Sequence, residues 1–530
     1  MRRVSPWILS LVVLAGQATA GVLEFDLQRR EPASGKVFVT KERVDPTKTA
    51  IVIVDMWDYH WCRTARERSG ALIPRMNEAF DRARALGFQV IHLPTEVTVS
   101  HEGAPQREAV LALPRQLLPK LIDFNPQDPR SGGCMCGPGP RCMYNYGHRA
   151  INPKLRIRDA DLIAHEAQEM VNICRAKDIS LLLYAGVATN QCLLRKPGAL
   201  LQMTRYGLKC WLLRDQSDSG TEYDPQHGYT PDVGSAEVVE DIERYITGTV
   251  DLVAELKKAG RWQDSLMVDS VFITPWGRVF EDEVVVSLAA PRNPEAGIRY
   301  TLDGTEPSES SLLYTAPFTV TETRTVKTAA FQRGKAVTHT GKAEFLQLPP
   351  YPPEPEVYLS DREPAFSATI GFPYYRKDEP NADRSIGGNP LKVRRKEYRK
   401  GLGVHTVSKV VYDLRPEYAR FVALGGVDDE ILGEDVGRFR AGYARAVFQV
   451  FIDDKLAGAS PLIGAQHVPW GFNIEIPAGS RRIMLVVTDG RDDPFALASE
   501  NLTFYNYLGH ADWLNAGFLL KGSPKQATSR

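Results

Sequence analysis

The chain has 530 residues, 43% hydrophobic and 25% charged, with 65 basic side chains balanced by 65 acidic ones. That length exceeds what one core fills, so two to four domains are expected. The cancelled charge excludes a global field for nucleic acid or an anionic membrane, and no apolar run after residue 20 is long enough to span a bilayer.

In chain order, residues 1–20 read as a secretory signal peptide: Arg2 and Arg3, an apolar run from Trp7 to Ala15, then Ala18-Thr19-Ala20. Export to a secreted or periplasmic location is therefore expected, with no membrane span left after cleavage. In that oxidising setting the seven cysteines (Cys62, Cys134, Cys136, Cys142, Cys174, Cys192 and Cys210) predict disulfides, and the odd count reserves one thiol.

Residues 21–262 alternate strand and helix patterns. TAIVIVD is a continuous apolar run, as a strand buried on both faces requires, and LIPRMNEAFDRARAL follows at helical spacing. FQVIHLP, a helix near 161–176, SLLLYAG, a helix near 191–206 and KCWLLRD complete a βαβ series, which implies a mostly parallel sheet covered on both faces. The stretch 102–149, rich in Pro, Gly and Cys, reads as an inserted surface excursion. Residues 266–346 show the short alternating strands of a small β-sandwich, the Pro-rich LPPYPPEPEV region at 347–356 reads as a stiff linker, and 357–522 reads as a second, larger β-sandwich.

Ligands of an open parallel sheet bind outside the carboxyl ends of its strands. Asp55 closes the first strand and Cys192 follows the strand ending at Gly186, so both are expected at one rim. Thr189 or Asn190 as helix N-cap would place Cys192 where the dipole stabilises thiolate, with spare amides for an oxyanion. Asp55 would shuttle the proton. Of the lysines between them, Lys120 falls in the excursion and Lys177 at the opposite rim, leaving Lys154 as the expected third member. A small core Cys is the competing reading. GGCMCGPGPRC brings three cysteines close in sequence, but without C-x-x-C spacing or a nearby His it predicts a disulfide-stapled loop rather than a metal site.

VDMWD and YAGVATNQC, with the βαβ pattern between them, resemble the isochorismatase-like cysteine hydrolases, the superfamily that includes nicotinamidases. The resemblance implies a Rossmann-like three-layer α/β domain, an Asp–Lys–Cys triad through Asp55 and Cys192, a cis Val187–Ala188 peptide, and the Ala188 and Cys192 amides as oxyanion hole. It implies a small-molecule amide substrate and no cofactor. The nicotinamidase Asp-x-His is missing from HLPTEVTVSHEG, and Trp57-Asp58-Tyr59-His60-Trp61 replaces the usual polar run, which argues against nicotinamide itself. Trp57, Trp61 and His92 are the candidate pocket residues.

IRYTLDGTEPSESSLLYTAPFTV resembles the small β-sandwich appended to chitobiase, a family that spaces domains. VYLSD, SIGGNPL, KGLGVHTVSKVVYDL, RFVALGGVDDE, FQVFIDDK and HADWLNAGF resemble the NPCBM family of carbohydrate-binding modules. That resemblance implies a polysaccharide or glycan partner, with His405, Asp428, Asp429, Asp512 and Trp513 as candidate contacts, since sugars offer C–H faces and hydroxyl edges. Asp428 and Asp429 could equally offer oxygens to Ca²⁺. Together these readings predict an exported amide-cleaving cysteine hydrolase tethered to a glycan-binding module. The alternative is an inactive glycan-binding or envelope-associated protein.

Overall fold

The computed structural model describes residues 21–58, 60–130, 132–137, 150–369, 379–432, 444–465, 467–488, 490 and 509–523. The expected signal peptide, Tyr59 and Cys142 lie outside the described residues.

The N-terminal region is mixed α/β. Its strands are β1 (Leu23–Arg30), β2 (Val37–Val44), β3 (Thr49–Val54), β4 (Gln89–Leu93), β5 (Leu162–Ile163), β6 (Leu181–Val187), β7 (Lys209–Asp218) and β8 (Thr249–Val250). They form one sheet in the order β2-β1-β8-β7-β6-β3-β4-β5. Every pairing from β8 to β5 is parallel, and β1 alone runs the other way, antiparallel to both β2 and β8. The helices are α1 (Arg63–Leu86), α2 (Pro105–Leu111), α3 (Ala167–Ala176), α4 (Cys192–Arg195), α5 (Leu200–Arg205), α6 (Pro231–Tyr245) and α7 (Leu252–Lys258).

β3 is buried along its whole length because its side chains alternate between two cores. Ile51 and Ile53 join α1 and α7 on one face, while Ala50, Val52 and Val54 join α3, α5 and α6 on the other. A continuous apolar strand is what this double coverage selects.

The first β-sandwich is packed onto this unit. Phe272, Trp276, Val286 and Phe345 belong to the same core as Phe80 and Ile53. The Trp276 amide donates to Thr64 Oγ1 at 2.9 Å, the Tyr223 hydroxyl donates to the Val285 carbonyl at 3.0 Å, and Arg75 pairs with Asp269 at 3.0 Å. Arg68, buried on α1, forks onto Asp218 at 2.8 and 2.9 Å, also reaches Asp232, and lies 4.1 Å over the Phe272 ring. Those two carboxylates hold its guanidinium above the ordinary arginine range despite burial. The C-terminal sandwich keeps a separate core, centred on Phe421, Phe448, Phe518 and Trp513.

The register of β3 against β6 pairs Val54 with Gly186. Gly186 sits at φ +109°, and a Cβ there would lie 2.1 Å from the Val54 carbonyl oxygen. Only glycine lets the two backbones meet this closely. Gly186→Ala should therefore cost roughly 3 kcal/mol or more. Gly103→Ala, where φ is +78° but nothing lies within 4 Å, should cost about 1–2 kcal/mol. Denaturant midpoints of the two variants check the difference, and equal losses would refute the close-approach argument.

Candidate active site

Because β3 and β6 are parallel and in register at Val54 and Gly186, the residues that follow them emerge side by side. Asp55 leaves β3 in the left-handed region, φ 49°, with its side chain buried. The Val187–Ala188 peptide is cis, and Cys192 opens α4 four residues later. The Asp55 carboxylate and the Ala188 amide both lie near enough to the Cys192 sulfur to shift its titration. No acceptor among the described residues meets the Cys192 amide.

The cation beside Asp55 is Lys196, whose Nζ lies 2.5 Å from Asp55 Oδ2 and also pairs with Glu96. Lys154, expected in this place, is instead exposed, its carbonyl accepting from Asn77 Nδ2 at 2.9 Å. The correction has a local cause. Lys196 stands one helical turn after Cys192, its amide donating to the Cys192 carbonyl at 3.1 Å, so i and i+4 project together over Asp55. A search confined to the interval between Asp55 and Cys192 could not find it. The signal was the Cys-x-x-x-Lys spacing.

The expected cap also differs. Gln191 is the N-cap of α4 and makes no capping bond, while Asn190 clamps the loop at Gly220, accepting its amide and donating to its carbonyl, both at 2.9 Å. A four-residue helix adds little field. Burial, followed by the negative Asp55, pushes the Cys192 thiol up to about 12, with Lys196 pulling the other way. Both burial and Asp55 favour the thiol form of Cys192 over the dipole-stabilised thiolate expected from its position. Burial lowers and Asp55 raises the Lys196 ammonium, and the net direction is upward, keeping it charged.

Trp57 and Trp61 line a narrow cavity of about 30 Å³ with Val187, Ala188 and Gln191. His60, which sequence reasoning passed over, stacks on Trp57 at 4.1 Å and lines the same cavity. Cys192 itself lines a separate cleft of about 600 Å³, walled also by Asp128, Pro129, Gln191, Arg195 and Lys196. His92 lines neither space. It is buried against Asp161 at 3.1 Å, beneath the Arg84–Asp161 ion pair, and serves the fold.

In the C-terminal module the strand His510–Leu520 carries Asp512 and Trp513 into the interior. Trp513 is fully buried among Phe421, Phe448 and Phe472, so no ring face is left for a sugar. Asp428 accepts the amides of Lys392 (2.9 Å) and Glu430 (2.7 Å), and Asp429 accepts those of Arg394 (3.0 Å) and Arg395 (2.6 Å). These carboxylates hold loops. Burial, and then the neighbouring Asp428, hold the wholly buried Asp512 well above the carboxylate range. His405 is buried and neutral. The nearby polar cluster is Glu430, which accepts from His510 Nδ1 at 2.5 Å and from Ser385, Gly387 and Asn389.

Residues 355–519 match the family profile of the NPCBM/NEW2 domain, and residues 275–341 match that of the Chitobiase/beta-hexosaminidase C-terminal domain. The chain carries a carbohydrate-binding module domain. A Renibacterium salmoninarum protein with the provisional name endo-alpha-N-acetylgalactosaminidase is 28% identical over 171 residues, 32% of this chain and 10% of its own, so the chain spans about a tenth of that relative. The CBM51 module of Clostridium perfringens GH95 in complex with methyl-galactose is 28% identical over 31% of this chain and 99% of the module, TM-score 0.24. A cysteine hydrolase of Pseudomonas syringae pv. phaseolicola covers 44% of this chain and 98% of its own at 14% identity, TM-score 0.26. An isochorismatase family protein of Burkholderia thailandensis covers 37% and 96% at 15% identity, TM-score 0.20.

Two predictions follow from the charges. Asp55→Asn removes the negative neighbour that raises the Cys192 thiol, so iodoacetamide labelling of Cys192 at about pH 9 should speed up, whereas Lys196→Met should slow it. Slower labelling of Asp55→Asn would contradict the contact. In the module, burial draws His405 from 6.5 to about 4, so its contribution to stability is intact above pH 6.5 and is lost as pH falls towards 4. Glu430 is depressed from 4.5 to about 2 by His510, Ser385 and Asn389 against the opposing cost of burial, so its contribution is present above pH 4.5 and is lost towards 2. Denaturant midpoints of the module transition should show His405→Gln flattening the upper slope and Glu430→Gln the lower.

Proposed function

We propose that the chain is an exported cysteine hydrolase of the isochorismatase-like type that cleaves a C–N amide-type bond and is held near glycan by its C-terminal module. The observation that carries this reading is the Asp55 carboxylate, paired with Lys196, acting together with the Ala188 amide on the Cys192 sulfur. The Rossmann-like assignment of residues 21–262, and their division from 266–346 and 357–522 by the linker at 347–356, belong to the same reading, as does processing after residue 20.

The chemistry balances with these groups alone. As the Cys192 sulfur bonds to the substrate carbonyl carbon, its proton passes to the Asp55 carboxylate. The carbonyl oxygen gains the negative charge and is met by the Ala188 and Cys192 amides. When the C–N bond breaks, Asp55 returns the proton to the leaving nitrogen. Water then adds to the thioester, giving its proton to Asp55, and the sulfur leaves, regaining a proton. Lys196, charged and in contact with Asp55, offsets the charge that moves between carboxylate and sulfur.

The cavity beside Ala188 is small, about 30 Å³, and suits a short group rather than a bulky one. A substrate whose acyl part is small, with its bulk in the 600 Å³ cleft, fits without moving Trp57 or Trp61. The module supplies proximity rather than chemistry, since a tether raises local concentration around a surface that the module holds.

A panel of amides graded by acyl size tests the proposal on the full chain. Cys192→Ala should abolish turnover and Lys196→Met should lower it on the order of 100-fold, while Lys154→Met leaves it unchanged. Small acyl groups should be cleaved fastest. No turnover on any member, with retention on polysaccharide, would replace the hydrolase by a glycan-binding protein.

A further inference from the structure

We propose that Cys62, Cys134 and Cys136 form a thiolate site for a soft metal ion of the zinc(II) or copper(I) class, which pins the inserted excursion to the head of α1. Cys62 is the N-cap of α1, and the other two arrive 72 and 74 positions later. Cys62 Sγ lies 3.8 Å from both Cys134 Sγ and Cys136 Sγ, and all three ligand atoms lie within 4.8 Å of one another, buried. Sulfurs of a disulfide stand about 2.05 Å apart. Tetrahedral bonds of about 2.3 Å to a zinc ion put its sulfurs about 3.8 Å apart. The observed spacing is that of ligands around a shared centre.

The surroundings suit thiolates. Thr64 Oγ1 accepts the Trp276 amide at 2.9 Å, which leaves its own proton to donate to Cys136 Sγ, 3.2 Å away. The Arg278 guanidinium reaches the Cys136 carbonyl at 3.1 Å and brings positive charge to a site that three thiolates make net negative. Each thiol gives up its proton as the metal binds, so binding weakens in acid. Soft sulfur ligands favour zinc(II) or copper(I) over magnesium or calcium. Cys62 and Met135 also line the cavity that holds Ala188, Trp57 and Trp61. The metal would therefore brace one wall of the candidate active site without entering the reaction.

The test uses the full chain, purified under reducing conditions without chelator. Elemental analysis should find about one zinc or copper per chain, which identifies the ion, and Cys62→Ser, Cys134→Ser and Cys136→Ser should each lose it, whereas Cys174→Ser and Cys210→Ser keep it. Should the serine variants fail to fold, the wild type still decides. Cobalt(II) loaded into metal-stripped protein should give a thiolate charge-transfer band, and zinc should raise its melting temperature. Absence of both metals together with no cobalt–thiolate band overturns the proposal, as does mass spectrometry showing a disulfide among these three cysteines. None of these readouts depends on hydrolase activity.

Discussion

The parallel pairing of β3 with β6 at Val54 and Gly186 is the constraint on which the candidate site depends. Neither Asp55 nor Cys192 is placed by a contact of its own choosing. Asp55 follows β3 directly and Cys192 follows β6 after one short turn. The register of both strands is set by side chains buried on both faces, where a one-residue slip would exchange the two cores. Gly186 then removes the last steric obstacle, letting β6 approach β3 closely enough to bring the carboxylate and the sulfur to one rim. The geometry of the candidate site is thus inherited from packing energy that the whole sheet supplies. α1 serves the same end from the other direction. Its buried Arg68 ties Asp218, at the end of β7, to Asp232 on α6 and to Phe272 of the first sandwich, so the rim is closed on a third side by charge.

Within that rim the electrostatics oppose one another in a useful way. A buried thiol beside a carboxylate resists ionisation, and the Lys196 ammonium partly offsets that resistance. The lysine occupies the turn after the cysteine, and the short α4 suffices because it needs only one turn to bring positions 192 and 196 to one side.

The parts legible in the sequence are those where one physical cause dominates. Continuous apolar runs gave away the doubly covered strands, and the rule that parallel strands open their sites at their carboxyl ends placed Asp55 and Cys192 together. Lys196 was missed because its role comes from helical phase, not from order along the chain. His92 stands near a strand end, where a pocket residue belongs, but a buried Asp161 elsewhere in sequence claims it. Trp513 and Asp512 looked like ligand contacts because their motif is polar and aromatic. Whether a strand turns such residues outward or inward is decided by the opposing sheet, which a single strand's sequence does not contain. The disulfides predicted from export are likewise not seen, for no bond joins any two of the described cysteines. Cysteine spacing alone does not distinguish a stapled loop from thiols gathered around one point.

The buried carboxylates of the C-terminal module show why this distinction matters for binding. Asp428 and Asp429 spend their oxygens on backbone amides of two loops, and Asp512 is held protonated behind Asp428. An aspartate whose lone pairs already meet amides has little left for a sugar hydroxyl or for calcium, so these residues shape the rim rather than form its contacts. Glu430, His510 and Asn389 are the polar groups linked together beside them, with Glu430 kept ionised and His510 donating to it. A planar acceptor and donors held in fixed orientation are what hydroxyl edges require. Among the described residues of this face that cluster is the linked polar group, while the aromatic Trp513 has been committed to the core.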